Sequence, residues 1–121
     1  MSSNIVEINS SKDVPIKGGS RTIIPLKDAL TYQNCAALET AFEEAIQNNR
    51  SEIILDCKAL TFIDSKVLEL LVRMHEDLKK SGGALRMIGL NDVCRDILTA
   101  TRLINFLNIY KDIHGAIRKW P

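Results

Sequence analysis

The sequence predicts an α/β fold: a mixed, mostly parallel β-sheet of about five strands, opened by an N-terminal hairpin and flanked by about four α-helices. Three observations carry this expectation. From Asn34 onward, short apolar runs alternate with amphipathic segments of helical period. Two of the runs, IILD and ALRMIGL, are nearly continuous in apolar residues, as strands buried on both faces are. Strands alternating with helices require crossover connections, which are right-handed and give parallel pairing.

Each element follows from its own pattern. Asn4 to Ile8 reads as a short strand, and NSSKDVPIKGGS (9–20), rich in Ser, Asp, Pro and Gly, reads as a polar loop. RTIIPL (21–26) is a second strand that can pair with the first as a hairpin. Pro25 cannot donate to a ladder and marks an end or an edge of that strand. Leu38, Ala41, Phe42 and Ala45 recur at i, i+3, i+4 and i+7, which predicts a helix over 35–49 that Thr31 or Asn34 could cap and that ends near NNRS. SEIILD (51–56) is the next strand. Val67, Leu70, Leu71, Met74 and Leu78 then form the apolar stripe of a helix that stops at SGG, where glycine supplies the C-terminal turn. ALRMIGL (84–90) is a central strand. Asn91 or Asp92 can cap a helix carrying Val93, Ile97 and Leu98. A short strand near Leu107 to Tyr110 and a last helix with Ile113 and Ile117 on one face complete the order β-β-α-β-α-β-α-β-α.

The chain of 121 residues reads as one domain, with 1–20 as its N-terminal strand and polar loop. At this length the core needs no metal or disulfide to hold it. Sixteen basic against fifteen acidic residues, a net charge of +1, give no electrostatic case for nucleic acid. No run approaches the roughly 18 apolar residues that span a bilayer, and MSSNIVEINSSKD lacks the basic and apolar regions of a signal peptide. Cytoplasm is the expected compartment. Cys35, Cys57 and Cys94 are odd in number and contain no CxxC, so reduced thiols are expected rather than a disulfide framework. With only His75 and His114 beside them, a metal site is not expected.

Chemical motifs are few. Asp56, at the end of SEIILD, lies where a receiver domain carries its phosphoacceptor. The acidic cluster that would hold magnesium after the first strand is missing, because Asn9, Ser10 and Ser11 stand there. Asp56 is therefore expected to be a polar strand end entering a turn. No GxSxG elbow, P-loop or GxGxxG is present, which leaves no signature of an enzyme and no expected cofactor.

The stretch FIDSKVLELL (62–71) is different. Asp64 and Ser65 sit where a strand-like run meets a helix, so either side chain can accept hydrogen bonds from free amides at the helix start. Capping is worth about 1 kcal/mol. The same position suits a phosphate, whose charge the helix N-terminus tolerates. A phosphate there would leave the fold intact and alter any surface that docks against the helix.

LTFIDSKVLELL resembles the signature of STAS domains, in particular bacterial anti-sigma factor antagonists, where Asp-Ser is usually followed by Ser or Thr, Gly and Leu. ALTYQNCAALETAF is similar to the family's Leu-Asp-x-x-x-Ala-x-x-Leu segment, with Leu30, Cys35 and Leu38 at its apolar positions. GGALRMIGLNDVCRDILTATRLINFLNIY resembles its fourth strand, third helix and last strand. The resemblance runs from Ile23 onward and implies the STAS fold. Lys66 and Val67 stand where Ser or Thr and Gly are usual, and Thr31 where an aspartate is usual.

The resemblance implies a partner switch. A serine-kinase anti-sigma factor binds the unphosphorylated antagonist, releases its sigma factor, and phosphorylates the serine after the aspartate; a PP2C-type phosphatase restores it. Carried over, Ser65 is the phosphoacceptor, with Asp64, Lys66, Val67, Glu69, Arg73 and Thr31 as the expected partner surface. The protein is then a ligand and a substrate, not an enzyme. The alternative is a non-phosphorylated STAS binding module acting as a scaffold or as the cytosolic subunit of a transporter or lipid-transport complex.

Overall fold

The structure is a computed structural model, and it describes residues 12–16, 19–48 and 52–118. The strand expected over Asn4–Ile8 lies outside these residues. The described elements are β1 (Lys12–Ile16), β2 (Gly19–Leu30), α1 (Ala36–Gln47), β3 (Glu52–Ile63), α2 (Ser65–Lys80), β4 (Ala84–Ile88), α3 (Asp92–Ala100), β5 (Asn108–Tyr110) and α4 (Ile113–Arg118). They form one five-stranded sheet in chain order, β1-β2-β3-β4-β5, with β1 antiparallel to β2 and every other neighbour parallel. The expected α/β class, hairpin and alternation of elements are all present.

The hairpin uses different residues from those expected. KDVPI, read as loop, is strand β1, paired with Gly19–Ile23. Among the described residues β1 lies at the edge of the sheet, so Pro15 has no second ladder to interrupt. β2 does not end at Pro25 but runs on to Leu30. β1 reaches only Ile23, so Pro25 lies where the outer side of β2 has no described ladder to interrupt.

Strand order in chain sequence, with right-handed crossovers, sends the connecting helices to one face. α1, α2 and α3 accordingly share one core. Leu38, Phe42, Leu71, Met74, Leu78, Cys94 and Leu98 pack with Ile24, Leu26, Ile53, Leu55, Leu85 and Met87 of the sheet. The opposite face carries α4, where Ala116 and Ile113 meet Ile54, Ile88, Ile23 and Tyr110. Successive strand residues point to opposite faces, so Ile53 and Leu55 enter one core and Ile54 the other. β3 is thus buried on both faces, as its apolar run predicts. Each fully buried Leu or Ile contributes about 1.5–3 kcal/mol relative to an exposed one.

β3 is twice the length expected. It pairs with β4 only over Glu52–Asp56, then continues beside β2 until Ile63 meets Leu30. Two irregularities accompany this extension. Pro25 to Lys27 faces Asp56 to Ala59, and Asp28 to Ala29 faces Leu60 to Phe62, so β3 holds one extra residue at each step. Such bulges bend a strand and re-aim its side chains. Asp56 is therefore mid-strand, not a strand end: its Oδ1 accepts the Lys58 amide at 3.1 Å, and its Oδ2 lies 3.5 Å from Lys58 Nζ. The chain crosses close to Gly89 here. A Cβ on Gly89 would lie 2.6 Å from Lys58 Cγ and 3.2 Å from Lys58 N, at a φ of +76°. The lengthened β2–β3 ribbon delivers the chain to Asp64, beyond the end of β4.

Candidate functional site

Asp64 organises the junction. Its backbone is extended (φ −104°, ψ −179°), the geometry of an N-cap. Its Oδ1 accepts the Val67 amide at 3.0 Å, and its main-chain carbonyl accepts the Leu68 amide at 3.0 Å. Oδ2 accepts the amide of Tyr32 at 2.8 Å, from the loop between β2 and α1. One carboxylate therefore fixes the start of α2 and ties down a loop 32 residues earlier in the chain.

That loop has its own frame. Thr31 N–H donates to Asn34 Oδ1 at 2.8 Å, Asn34 Nδ2 donates to Ala29 O at 3.0 Å, and Gln33 N–H donates to Thr31 Oγ1 at 3.2 Å. Thr31 and Asn34, expected as caps of α1, hold this turn instead. The N-cap of α1 is Cys35, which makes no side-chain cap hydrogen bond. At the next parallel position Asn91 caps α3 by accepting the Cys94 amide at 2.8 Å, and donates through Nδ2 to Leu60 O at 3.3 Å. Three loops thus meet at the carboxyl ends of the strands, where open α/β sheets present their binding surfaces.

Ser65 is the first residue of α2, and it is exposed. Lys66 and Glu69 are exposed beside it. Arg73, two turns along, is exposed and forms an ion pair with Glu39 of α1. Lys66, Glu69 and Arg73 border one small cleft of about 60 Å³ with Cys35, Glu39 and Leu70. Thr31 is half-buried and reaches the site through the Tyr32 contact to Asp64. Val67 does not belong to this surface: it is 0% exposed and sits in the core. The helical stripe that includes Val67 turns its side chain inward, whatever residue the resemblance places there.

The structure adds residues that the sequence did not single out. Tyr32 is 68% exposed, directly above the Asp64 tie. Continuous with this surface, α2 and the segment after α3 flank an open groove of about 440 Å³, lined by Ser65, Leu68, Glu69, Val72, Arg73, Glu76, Thr101 and Leu103. Sequence spacing shows that residues 65, 68, 69, 72 and 76 share a helix face, but not that Thr101 and Leu103 come to lie against it.

The remaining candidate groups are structural. Cys35, Cys57 and Cys94 are buried free thiols. Burial pushes the thiols of Cys57 and Cys94 up, and the neighbouring Cys94 and Asp56 push Cys57 further, so neither is a ready nucleophile. His75 is buried with its ring edge-on to Phe106 at 4.8 Å, and burial, helped by Lys79, holds its imidazole below the usual pKa. His114 is exposed. Among the described residues no group of three or more His, Cys, Asp or Glu side chains could hold a metal ion, and no helix is long and apolar enough to cross a membrane.

Comparison with known proteins agrees with this architecture. No curated protein matches the sequence. Among solved structures, a Thermotoga maritima protein assigned as an anti-sigma factor antagonist superposes with a TM-score of 0.80 at 20% identity, covering 93% of this chain and 95% of its own. An anti-sigma factor antagonist of Mycobacterium paratuberculosis gives 0.75 at 17% identity over 90% of this chain and 91% of its own. The Bacillus cell fate determinant SpoIIAA in its phosphorylated form gives 0.64 at 15% identity, over 90% of this chain and 98% of its own. These likenesses carry the fold. The model of the STAS domain family matches residues 11–116, from β1 into α4. On that match the chain belongs to the STAS domain family.

Proposed function

We propose that this STAS domain is an anti-sigma factor antagonist in a phosphorylation-controlled partner switch, with Ser65 as the phosphoacceptor. One observation carries the reading: an exposed serine opens a helix whose start is already fixed by a different residue, Asp64. Because Asp64 supplies the cap, Ser65 is not needed to hold the helix, and its hydroxyl is accessible to a kinase.

In the unmodified state the protein binds a serine-kinase anti-sigma factor through the exposed surface of Ser65, Lys66, Glu69 and Arg73, with the Thr31–Asn34 loop beside it. Binding releases the sigma factor. The kinase then transfers the γ-phosphoryl group of ATP to Ser65 Oγ. The hydroxyl proton passes to a base on the kinase, and ADP leaves. The added charge of nearly −2 is favoured by the start of α2, so the domain stays folded. Against a partner surface packed over Ser65 the same charge is repelled or left desolvated, and the complex opens. A PP2C-type phosphatase returns the serine by hydrolysis, releasing inorganic phosphate. Throughout, the antagonist is a ligand and a protein substrate, and it performs no chemistry itself.

Testing this requires a kinase-type anti-sigma factor, sought first among the genes that flank this one. Mixed with the purified protein, it is expected to form a complex that dissociates on addition of ATP as one phosphoryl group appears on Ser65. The Ser65→Ala variant is expected to bind and stay bound. A complex that persists with ATP while Ser65 stays unmodified would overturn the switch and leave the reading of a non-phosphorylated scaffold or transporter-associated module.

A further inference from the structure

One buried ionisable side chain takes no part in the Ser65 surface. His75 lies one turn beyond Val72 on α2 and is 5% exposed. Across from it runs the stretch between α3 and β5, whose Phe106 ring packs on the imidazole with 4.8 Å between centroids. Nδ1 of His75 has no hydrogen-bond partner among the described residues. A neutral imidazole can leave Nδ1 as an unprotonated acceptor. An imidazolium donates from both nitrogens, so it would bury a charge and an N–H with no acceptor. The surrounding charges do not supply one. Burial and Lys79 oppose the imidazolium, Glu76 favours it, and burial is the largest influence. The stretch 101–107 brings only a further cation, Arg102, and β5 brings no charge. α1 sets Glu39 and Glu43 against the other flank of α2, beside Arg73 and Asp77. On β3 and β4, Glu52, Asp56 and Arg86 alternate with Ile53, Leu55, Leu85 and Met87 and so point to the α4 face, with Lys58 paired to Asp56. α3 keeps Asp92, Arg95 and Asp96 exposed.

We propose that Phe106 is an acid-released latch: protonation of His75 turns the phenyl ring out and frees the stretch 102–106 from α2. The backbone of this stretch is tied to α3 and to itself. Leu103 and Ile104 donate to Leu98 O at 2.8 and 3.1 Å, and Phe106 donates to Leu103 O at 3.0 Å. Among the described residues no hydrogen bond joins the stretch to α2. Side-chain packing alone closes the contact, and Phe106 is already 40% exposed. Turned out, Phe106 lets water reach the imidazole, whose pKa then returns toward its ordinary 6.5. The closed form resists the proton and the open form takes it. The open form therefore gains as pH falls below about 6.5, by up to about tenfold per pH unit until the closed form also titrates. Thr101 and Leu103 of this segment also line the groove that begins at Ser65, so acid reshapes the surface beside the serine. The latch needs neither phosphorylation nor a partner, and it stands apart from the switch reading.

The test is a titration of the whole protein from about pH 7.5 to about pH 5, across the range in which histidine changes charge, followed by NMR of ring and amide signals. The through-space contact between the His75 and Phe106 rings is expected to vanish with the midpoint at which His75 titrates. The amides of Leu103 and Phe106 are expected to shift with that midpoint, while those of Ile54 and Leu55 in the sheet stay unmoved. His114, which is exposed, serves as the internal reference. Phe106→Ala removes the latch and is expected to raise the His75 midpoint toward 6.5. His75→Gln is expected to abolish the acid response of Leu103 and Phe106. Should that variant fail to fold, the parent protein and Phe106→Ala still decide. A ring contact that persists once His75 is protonated would overturn the proposal, as would an unchanged midpoint in Phe106→Ala or a response that survives in His75→Gln. Loss of the sheet signals together with those of the stretch would also overturn it, because the acid form would then be globally unfolded.

Discussion

At the junction before α2, neighbouring residues divide the work. Both side-chain oxygens of Asp64 accept backbone hydrogen bonds, from Val67 and from Tyr32, whereas Ser65 points outward. Asp64→Ala removes a helix cap and a long-range tie, so it is expected to lower unfolding stability by about 2 kcal/mol in urea titration. Ser65→Ala, at an exposed position that caps nothing, is expected to stay within about 0.5 kcal/mol of the parent. A loss of stability in Ser65→Ala as large as in Asp64→Ala would mean that the serine, not the aspartate, holds the helix. Val67 gives the contrasting case. Val67→Gly restores the residue usual in the resemblance, yet it opens a cavity in the core and places glycine inside a helix. Together these are expected to cost about 3 kcal/mol. The Asp-Ser cap was legible because capping is local in sequence. The Tyr32 tie was not, because no local pattern reveals a hydrogen bond between residues 32 and 64. Val67 shows two sequence signals in conflict: its place in the apolar stripe outweighed its place in the motif.

Helices α2 and α3 end alike, with different residues in the demanding position. After α2, Gly83 N–H bonds to Leu78 O at 2.8 Å and Gly82 N–H to Lys79 O at 3.0 Å, with Gly82 at φ +81°. After α3, Leu103 N–H bonds to Leu98 O at 2.8 Å and Arg102 N–H to Thr99 O at 3.1 Å, with Arg102 at φ +65°. Both are Schellman turns, which favour glycine at the left-handed residue. Arg102→Gly is therefore expected to raise stability by about 0.5–1 kcal/mol, read from the denaturation midpoint; a decrease would show that the arginine side chain makes a contact worth more than the backbone strain. Elements with a steady period were legible: α1, α2 and β4 lie where their apolar residues place them. β1 was hidden because KDVPI combines a proline with charged residues and is held by its pairing to β2 rather than by its own propensity. The second half of β3 was hidden because its two bulges break the alternation by which a strand is recognised.

For the whole molecule, the sheet with three helices on one face and α4 on the other buries titratable groups that bound the useful pH range. His75 is held below its ordinary pKa of 6.5 by burial, so below about pH 6.5 the unfolded chain takes up a proton that the folded one resists. Stability is then lost as pH falls through the folded pKa. Cys57 and Cys94 are held above the ordinary thiol value of 9.0 by burial. Above that value the unfolded chain releases protons that the folded one keeps, and stability falls again as pH rises. Thermal unfolding is expected to show a plateau between these limits, and His75→Leu is expected to flatten the acid side; an acid limb unchanged in His75→Leu would place its origin in other groups. Within that plateau the proposed switch requires that an exposed Ser65, on a helix capped by Asp64, changes partner binding without disturbing the fold. The most direct test measures, on one sample of protein with its kinase-type anti-sigma factor, the site of phosphorylation and the affinity before and after ATP. The switch requires modification of Ser65, loss of the complex and an unchanged unfolding midpoint for the modified protein. Phosphorylation at another residue, or a complex of equal affinity once Ser65 is phosphorylated, would contradict it.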